Sequence, residues 1–273
     1  MSRWLITGCS TGIGRAIATA ALDAGHSVLV TARNPEAVQD LVDAHPGRAV
    51  GVALDVTDRA QIAGAVARAD AAFGGVDVLV NNAGYGYLSA VEEGDDAEVR
   101  ALFDTNFFGA VDMIKAVLPG MRARGDGHIV NVSSMTGIVT NPPNTYYSCT
   151  KHALEALTEG LSKEVGPLGI KVSAIEPGAF QTDYITRSMH QAESIDAYDE
   201  IAQRKELIVA FGEHLPGDPA KLAAAVLRIA EMDDPPLRLL LGQDVLHAFR
   251  EKSASWAASV DEWEDVTLSM NFD

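Results

Sequence analysis

At 273 residues the chain has room for one large α/β core, and its 47% apolar content is that of a folded globular protein. Thirty-eight acidic against 21 basic residues leave a net charge of −17, which argues against general nucleic-acid binding, since that needs a basic surface to displace counterions. No apolar stretch reaches the ~18 residues of a membrane span, the opening residues show no secretory signal and none is expected, and two cysteines in separate motifs suit neither a disulfide nor a zinc site.

Seven short apolar, β-branched runs punctuate the chain: Trp4 to Thr7, Ser27 to Thr31, Ala49 to Leu54, Val76 to Asn81, His128 to Val132, Ile170 to Ile175 and Leu237 to Leu241. Near-continuous hydrophobicity of this kind suits parallel strands covered on both faces. Between them lie alanine-rich helical stretches such as Gly12 to Ala24 and Asp58 to Phe73. The alternation predicts an α/β fold: a doubly wound, Rossmann-like parallel sheet of about seven strands with helices on both faces, in a single domain over 1–273. Ligands in such sheets bind outside the carboxyl ends of the strands, so the residues that follow strands carry the information.

After the first run come Thr7-Gly8-Cys9-Ser10-Thr11-Gly12-Ile13-Gly14, opening the first helix. Glycines let the backbone turn tightly beside a pyrophosphate, and the helix N-terminus offers free N–H groups to it. The second run ends in Thr31-Ala32-Arg33, with no acid before Glu36. Lacking a carboxylate there to hold a ribose 2′-hydroxyl, and having a guanidinium instead, the site is expected to take NADP(H) over NAD(H). Asp55, after the third run, would accept from the adenine amino group or merely shape the turn. Asn81-Asn82-Ala83-Gly84 closes the fourth run with small residues that would pass beside the adenosine. Glu92-Glu93-Gly94-Asp95-Asp96 reads as a solvated loop, with Asp95 and Glu98 suited to capping the helix that follows.

Tyr147 and Lys151 lie four apart at the start of a helix whose core face continues through Leu154, Leu157, Leu161 and Val165. A phenol has an ordinary pKa near 10 and exchanges protons sluggishly at neutral pH. Drawing it down by three units requires about 4 kcal/mol, which an ammonium about 4 Å away supplies at an effective dielectric near 20. The rival Tyr146 has only Thr150 at that spacing.

With Ile129-Val130-Asn131-Val132-Ser133-Ser134 upstream and Pro177-Gly178 downstream, the chain resembles the short-chain dehydrogenases/reductases from about Arg3 to Asp183. That resemblance implies an NAD(P)-dependent oxidoreductase acting on CH–OH groups. Ser134, thirteen residues before Tyr147, would hydrogen-bond the substrate oxygen; Tyr147 would be the acid/base; Lys151 would hold the nicotinamide ribose. Asn106, in Thr-Asn-Phe-Phe-Gly, would order a helix bend and a proton-relay water. Gly8, Ser10, Thr11, Gly12, Ile13, Gly14, Arg33, Asp55, Val56, Asn82, Ala83 and Gly84 would contact the cofactor, joined by Pro177, Gly178, Phe180 and Thr182. Cys9 and Cys149 are read as compact fillers.

Gln181 to Gly217 forms a longer insertion before the last strand, read as a small substrate lobe. Tyr85, Ser134, Met135, Val139, Tyr147, Phe180, Tyr184, Ile185 and Met189 are the candidates for the substrate wall, suiting a hydrophobic ketone or secondary alcohol. The tail from Gln243 is expected to be helical, then acidic and irregular. The histidines show no metal spacing, so no metal is expected. A cytoplasmic homodimer or homotetramer packed through helices around 96–118 and 145–165 is the expected state, with a small-molecule carbonyl or alcohol as its partner and neither nucleic acid nor membrane. A non-catalytic dinucleotide sensor and a tyrosine-using epimerase or lyase are the rival readings.

Overall fold

The computed structural model describes residues 1–212 and 215–272. Seven strands form one parallel sheet: β1 (Arg3–Ile6), β2 (Ser27–Ala32), β3 (Ala49–Ala53), β4 (Val78–Asn81), then β6 (Gly127–Val132), β7 (Ile170–Pro177) and β9 (Arg238–Leu241). Two further strands, β5 (Gly86–Leu88) and β8 (Met189–Gln191), pair in parallel as a separate ribbon. The spatial order of the large sheet is β3-β2-β1-β4-β6-β7-β9. Chain progression reverses between β1 and β4, so the loops after these two strands flank a crevice at their carboxyl ends.

Alternating side chains divide the sheet into two cores, as strand geometry requires. Trp4, Ile6, Val28, Val30, Val78, Val80, Val130 and Ile175 meet α1 (Gly12–Asp23) and α9 (Pro219–Ala230) on one face. Leu5, Leu29, Leu79, Ile129 and Val172 meet α3 (Arg59–Phe73), α5 (Gly109–Arg124) and α6 (Thr145–Val165) on the other. Each fully buried Leu or Ile contributes roughly 1.5–3 kcal/mol of hydrophobic stabilisation. Of the remaining helices, α2 (Gln39–Ala44) packs beside β3 and α4 (Asp96–Phe103) precedes α5 through a π-helical turn, Asp104–Phe108. The expected doubly wound sheet is present with its seven strands.

Several local expectations change. Between β7 and β9 lie α7 (Tyr184–Arg187), β8 and α8 (Asp199–Phe211); the predicted lobe also takes in Glu213 and His214, which lie outside the described residues. The tail is not irregular: α10 (Gln243–Glu262) and α11 (Glu264–Leu268) carry helix nearly to its end. The loop before α4 is not wholly solvated. Asp95 caps α4 through the N–H groups of Ala97 and Glu98, but the Glu93 side chain is fully buried and paired with Lys205 of α8 at 2.6 Å. Its carboxylate also accepts from the N–H groups of Ala90 and Ile195. Burial alone would raise its pKa, yet the Lys205 ammonium and these donors hold it below the usual carboxylate range. No helix among the described residues is long and apolar enough to cross a membrane.

Candidate active site

The turn after β1 needs glycine twice over: Gly8 and Gly12 have φ of +72° and +60°, a region other residues enter only with strain. A third glycine is required by crowding, because a Cβ on Gly14 would overlap the Asn82 side chain and the Gly8 carbonyl. Thr11 is the N-cap residue of α1 and makes no side-chain capping bond, which leaves the first N–H groups of the helix unclaimed by a side chain. Cys9 is buried, with its thiol pushed up to about 12 by burial, so it stays protonated.

Asn82 ties this turn to the end of β4. Its amide donates to the carbonyls of Thr7 (2.8 Å) and Gly8 (3.1 Å), while the Thr7 hydroxyl accepts from the N–H groups of Asn82 and Ala83, each at 2.9 Å. Arg33 stands exposed after β2 and has no hydrogen-bond or ion-pair partner among the described residues. Asp55 is engaged locally, its carboxylate accepting from the N–H and hydroxyl of Thr57. Val56 is buried, and a Cβ on Gly109 of α5 would collide with it.

Ser134 follows β6 and opens a short 3₁₀ turn, Met135–Gly137, that packs on α6; its hydroxyl accepts from the Thr136 N–H at 3.2 Å. Ser133 is buried instead, and its hydroxyl has no partner among the described residues. Tyr147 and Lys151 stand one turn apart near the start of α6. Lys151 is only 5% exposed; its ammonium donates to the Val132 carbonyl at 2.8 Å and lies 5.6 Å from the centre of the Tyr147 ring. A buried ammonium held this way is a fixed positive charge beside the phenol. Tyr146 points elsewhere, donating to the Val91 carbonyl.

Asn106 sits inside the π-helical turn between α4 and α5, a deformation that often marks functional sites. Its side chain accepts from the Tyr85 N–H at 3.0 Å and donates to the Tyr85 carbonyl at 2.8 Å and the Thr150 hydroxyl at 3.3 Å. Gly84 packs closely here: a Cβ would stand 3.0 Å from the Asn106 oxygen, which would have to give way slightly.

On the far side, Thr182 approaches the first turn, 3.6 Å from where a Cβ on Gly12 would stand. Tyr184 approaches Tyr147, their ring centres 6.2 Å apart. Tyr85 lies against His190, Ile185 packs near Gly212, and Phe180 packs on the α1-side core and Gly217. Met135 is half-buried and Val139 buried, and Met189 reaches over Gly86.

One residue in this region escapes sequence reasoning. Asp244, in the first turn of α10, accepts from the Ala179 N–H at 2.7 Å and abuts Gly178 so closely that any side chain there would overlap it. It fixes the Pro177-Gly178 turn from 65 residues away. The only local signal was an acid just after Gly242, whose φ is +127°.

The model of the short chain dehydrogenases matches residues 3–193. Oxidoreductase BOA17 of Botryotinia fuckeliana is 38% identical, covering 97% of this chain and 98% of its own. The 3-ketodihydrosphingosine reductase of Bacteroides thetaiotaomicron is 36% identical, covering 92% and 91%. Among solved structures, a short-chain dehydrogenase from Streptomyces avermitilis superposes with a TM-score of 0.93 at 44% identity, covering 99% of this chain and 100% of its own. Serine dehydrogenase complexed with NADP+ gives 0.77 at 26% identity, covering 88% and 94%.

Proposed function

The chain belongs to the short chain dehydrogenase family and is an NAD(P)-dependent oxidoreductase, and from that premise we propose that it is a cytoplasmic, NADPH-preferring reductase of hydrophobic ketones, or the corresponding alcohol dehydrogenase. The observation that carries this reading is the buried Lys151 ammonium set 5.6 Å from the Tyr147 ring.

The residues after β1 and β2 fit the cofactor. Two positive-φ glycines and the side-chain-free Gly14 make a backbone cradle into which a pyrophosphate fits, with Ser10, Thr11 and Ile13 completing the turn. The unpartnered Arg33 suits a ribose 2′-phosphate, and a structural relative that holds NADP+ supports the same preference. Asn82, Ala83, Gly84, Pro177, Gly178 and Thr182 would line the remainder, with Asp55 and Val56 at the adenine end. When bound, the nicotinamide supplies or accepts the hydride.

The chain's own residues then handle the proton. In reduction, Tyr147 gives its hydroxyl proton to the carbonyl oxygen as the carbon gains hydride, and the phenolate left behind is stabilised by Lys151. Ser134 donates a hydrogen bond to the same oxygen. The Val132 carbonyl holds Lys151 in place, and Asn106 ties the Tyr85 backbone to the Thr150 hydroxyl of α6. Oxidation runs the same proton backwards. Met135, Val139, Ile185 and Met189 give the wall its apolar character, and the name of the ketodihydrosphingosine reductase relative supports a ketone substrate.

NADPH and NADH consumption against a panel of aliphatic, aryl and steroidal ketones tests this. Turnover is expected with NADPH, falling by roughly 10²–10⁴-fold in Tyr147→Phe, the scale of a lost general acid. Tight cofactor binding without turnover would favour a dinucleotide sensor, and conversion without net NADPH oxidation an epimerase or lyase.

A further inference from the structure

The hydroxyls of Ser134 and Tyr147 have a place in the reaction above, whereas that of Tyr184, beside Tyr147, has none. Tyr184 is half-buried, but its hydroxyl has no contact with solvent and meets no well-formed hydrogen bond among the described residues, its polar neighbour being the Tyr147 hydroxyl. A buried phenol oxygen left this way is costly, and it is uncommon in a well-packed protein unless a ligand completes it.

Its position is fixed from three sides. The Tyr147 ring lies 6.2 Å away, centre to centre, at 47°. Gly86 of β5 presents bare backbone, so close that a Cβ there would stand 2.8 Å from the Tyr184 oxygen. Met189, the first residue of β8, closes the same space, and the β5–β8 pairing sets Gly86 opposite it. The phenol oxygen therefore packs against a hydrogen-bonded β5–β8 ribbon, a more rigid wall than a free loop.

We infer that the Tyr184 hydroxyl is a specificity-determining contact that selects ketones carrying a neutral hydroxyl one or two carbons from the carbonyl. This rests on Tyr147 being the group that meets the carbonyl oxygen. A polar atom within hydrogen-bonding reach of Tyr184 is then separated from that oxygen by only a few bonds. The phenol is kept protonated by burial and by the neighbouring Tyr147, so it can both donate and accept. That suits a hydroxyl. A carboxylate would want a cation at this oxygen, and no cation among the described residues bonds it: Arg187 pairs with Asp183 and Lys205 with Glu93, while Arg204 of α8 is exposed and makes no bond to the phenol.

The test compares each alkan-2-one with its 1-hydroxy and 4-hydroxy counterparts of equal chain length, in wild type, Tyr184→Phe and Gly86→Ala. The wild type should favour at least one hydroxyketone by tenfold or more in kcat/KM, because a site built to pair a hydroxyl discriminates against the analogue that lacks it. Tyr184→Phe should bring that ratio close to one. Gly86→Ala, which drives a methyl group against the same oxygen, should reduce it too, and thermal unfolding would verify that both variants fold. Equal kcat/KM for plain and hydroxylated ketones in the wild type overturns the inference while leaving the reductase reading intact. So does a Tyr184→Phe variant that loses both activities in proportion. Absence of any Tyr147-dependent turnover overturns both.

Discussion

Arg15 and Arg33 lie at the same end of the sheet and differ in what surrounds them. Arg15 pairs with Asp40 and also donates to the Ala37 carbonyl, so its charge is committed. Arg33 is exposed and unclaimed among the described residues. In Arg33→Ala the KM for NADPH is expected to rise about 10–100-fold, the size of one or two lost charge-assisted hydrogen bonds, with little change for NADH; initial rates with both cofactors check it. An equal effect on both would remove Arg33 from 2′-phosphate recognition. Residues of this kind were legible because local spacing places them: Arg33 ends a strand, and Tyr147 and Lys151 share one helix face. Asp244 was not, because its partner at Ala179 is distant in sequence and no short-range pattern encodes that contact. The Tyr184 hydroxyl was equally hidden, since neither its burial nor its lack of a partner is written in the neighbouring residues.

At the scale of elements, β7, α6 and β9 converge on a buried acid pair. Glu176 of β7 is fully buried and Glu155 of α6 nearly so, with Arg238 of β9 bonding Glu155 at 3.0 Å and standing 3.9 Å from Glu176. Burial first, and Glu155 second, push Glu176 up to about 8, against the pull of Arg238. The folded protein therefore keeps a proton that the unfolded chain releases near 4.5. The associated stability is complete below that value and is lost as pH rises through about 8. Buried His128 acts oppositely: burial lowers it to about 4, so its contribution is lost as pH falls below the ordinary 6.5. Replacing Glu176 with Gln leaves the opposing His128 effect in place, so Tm at pH 5.5 minus Tm at pH 8.5, taken with its sign, should be lower than in wild type. Calorimetry at the two pH values measures it, and an unchanged difference would remove Glu176 as the cause. The seven long strands could be read from hydrophobic runs, whereas β5 and β8 could not. Three residues each are too few for a periodic signal, and their pairing depends on a lobe that Lys205 and Glu93 pin from 112 residues apart.

At the scale of the whole molecule, apolar surface gathers on two features. Phe108, 51% exposed, stands with Val99 and Phe103 around a surface cavity of about 550 Å³ at the α4–α5 corner, within one of the segments expected to join subunits. Light scattering should return twice or four times 28.9 kDa. Phe108→Asp should move that mass towards the monomer, since a carboxylate there would have to be desolvated and would add to a net charge of −17. A wild-type mass of one chain would exclude the oligomer. The second feature is the arm formed by the end of α10 and α11, where every residue from Ser253 to Phe272 is exposed.

That arm also decides how the protein glows. Of its three tryptophans, Trp4 is sealed in the core beside His26, whereas Trp256 and Trp263 stand 67% and 58% exposed on the arm. Ultraviolet emission therefore comes from two water-facing indoles at one end and one dry indole at the other. The red part of the spectrum reports what touches the arm, and the blue part reports whether β1 is still in its sheet.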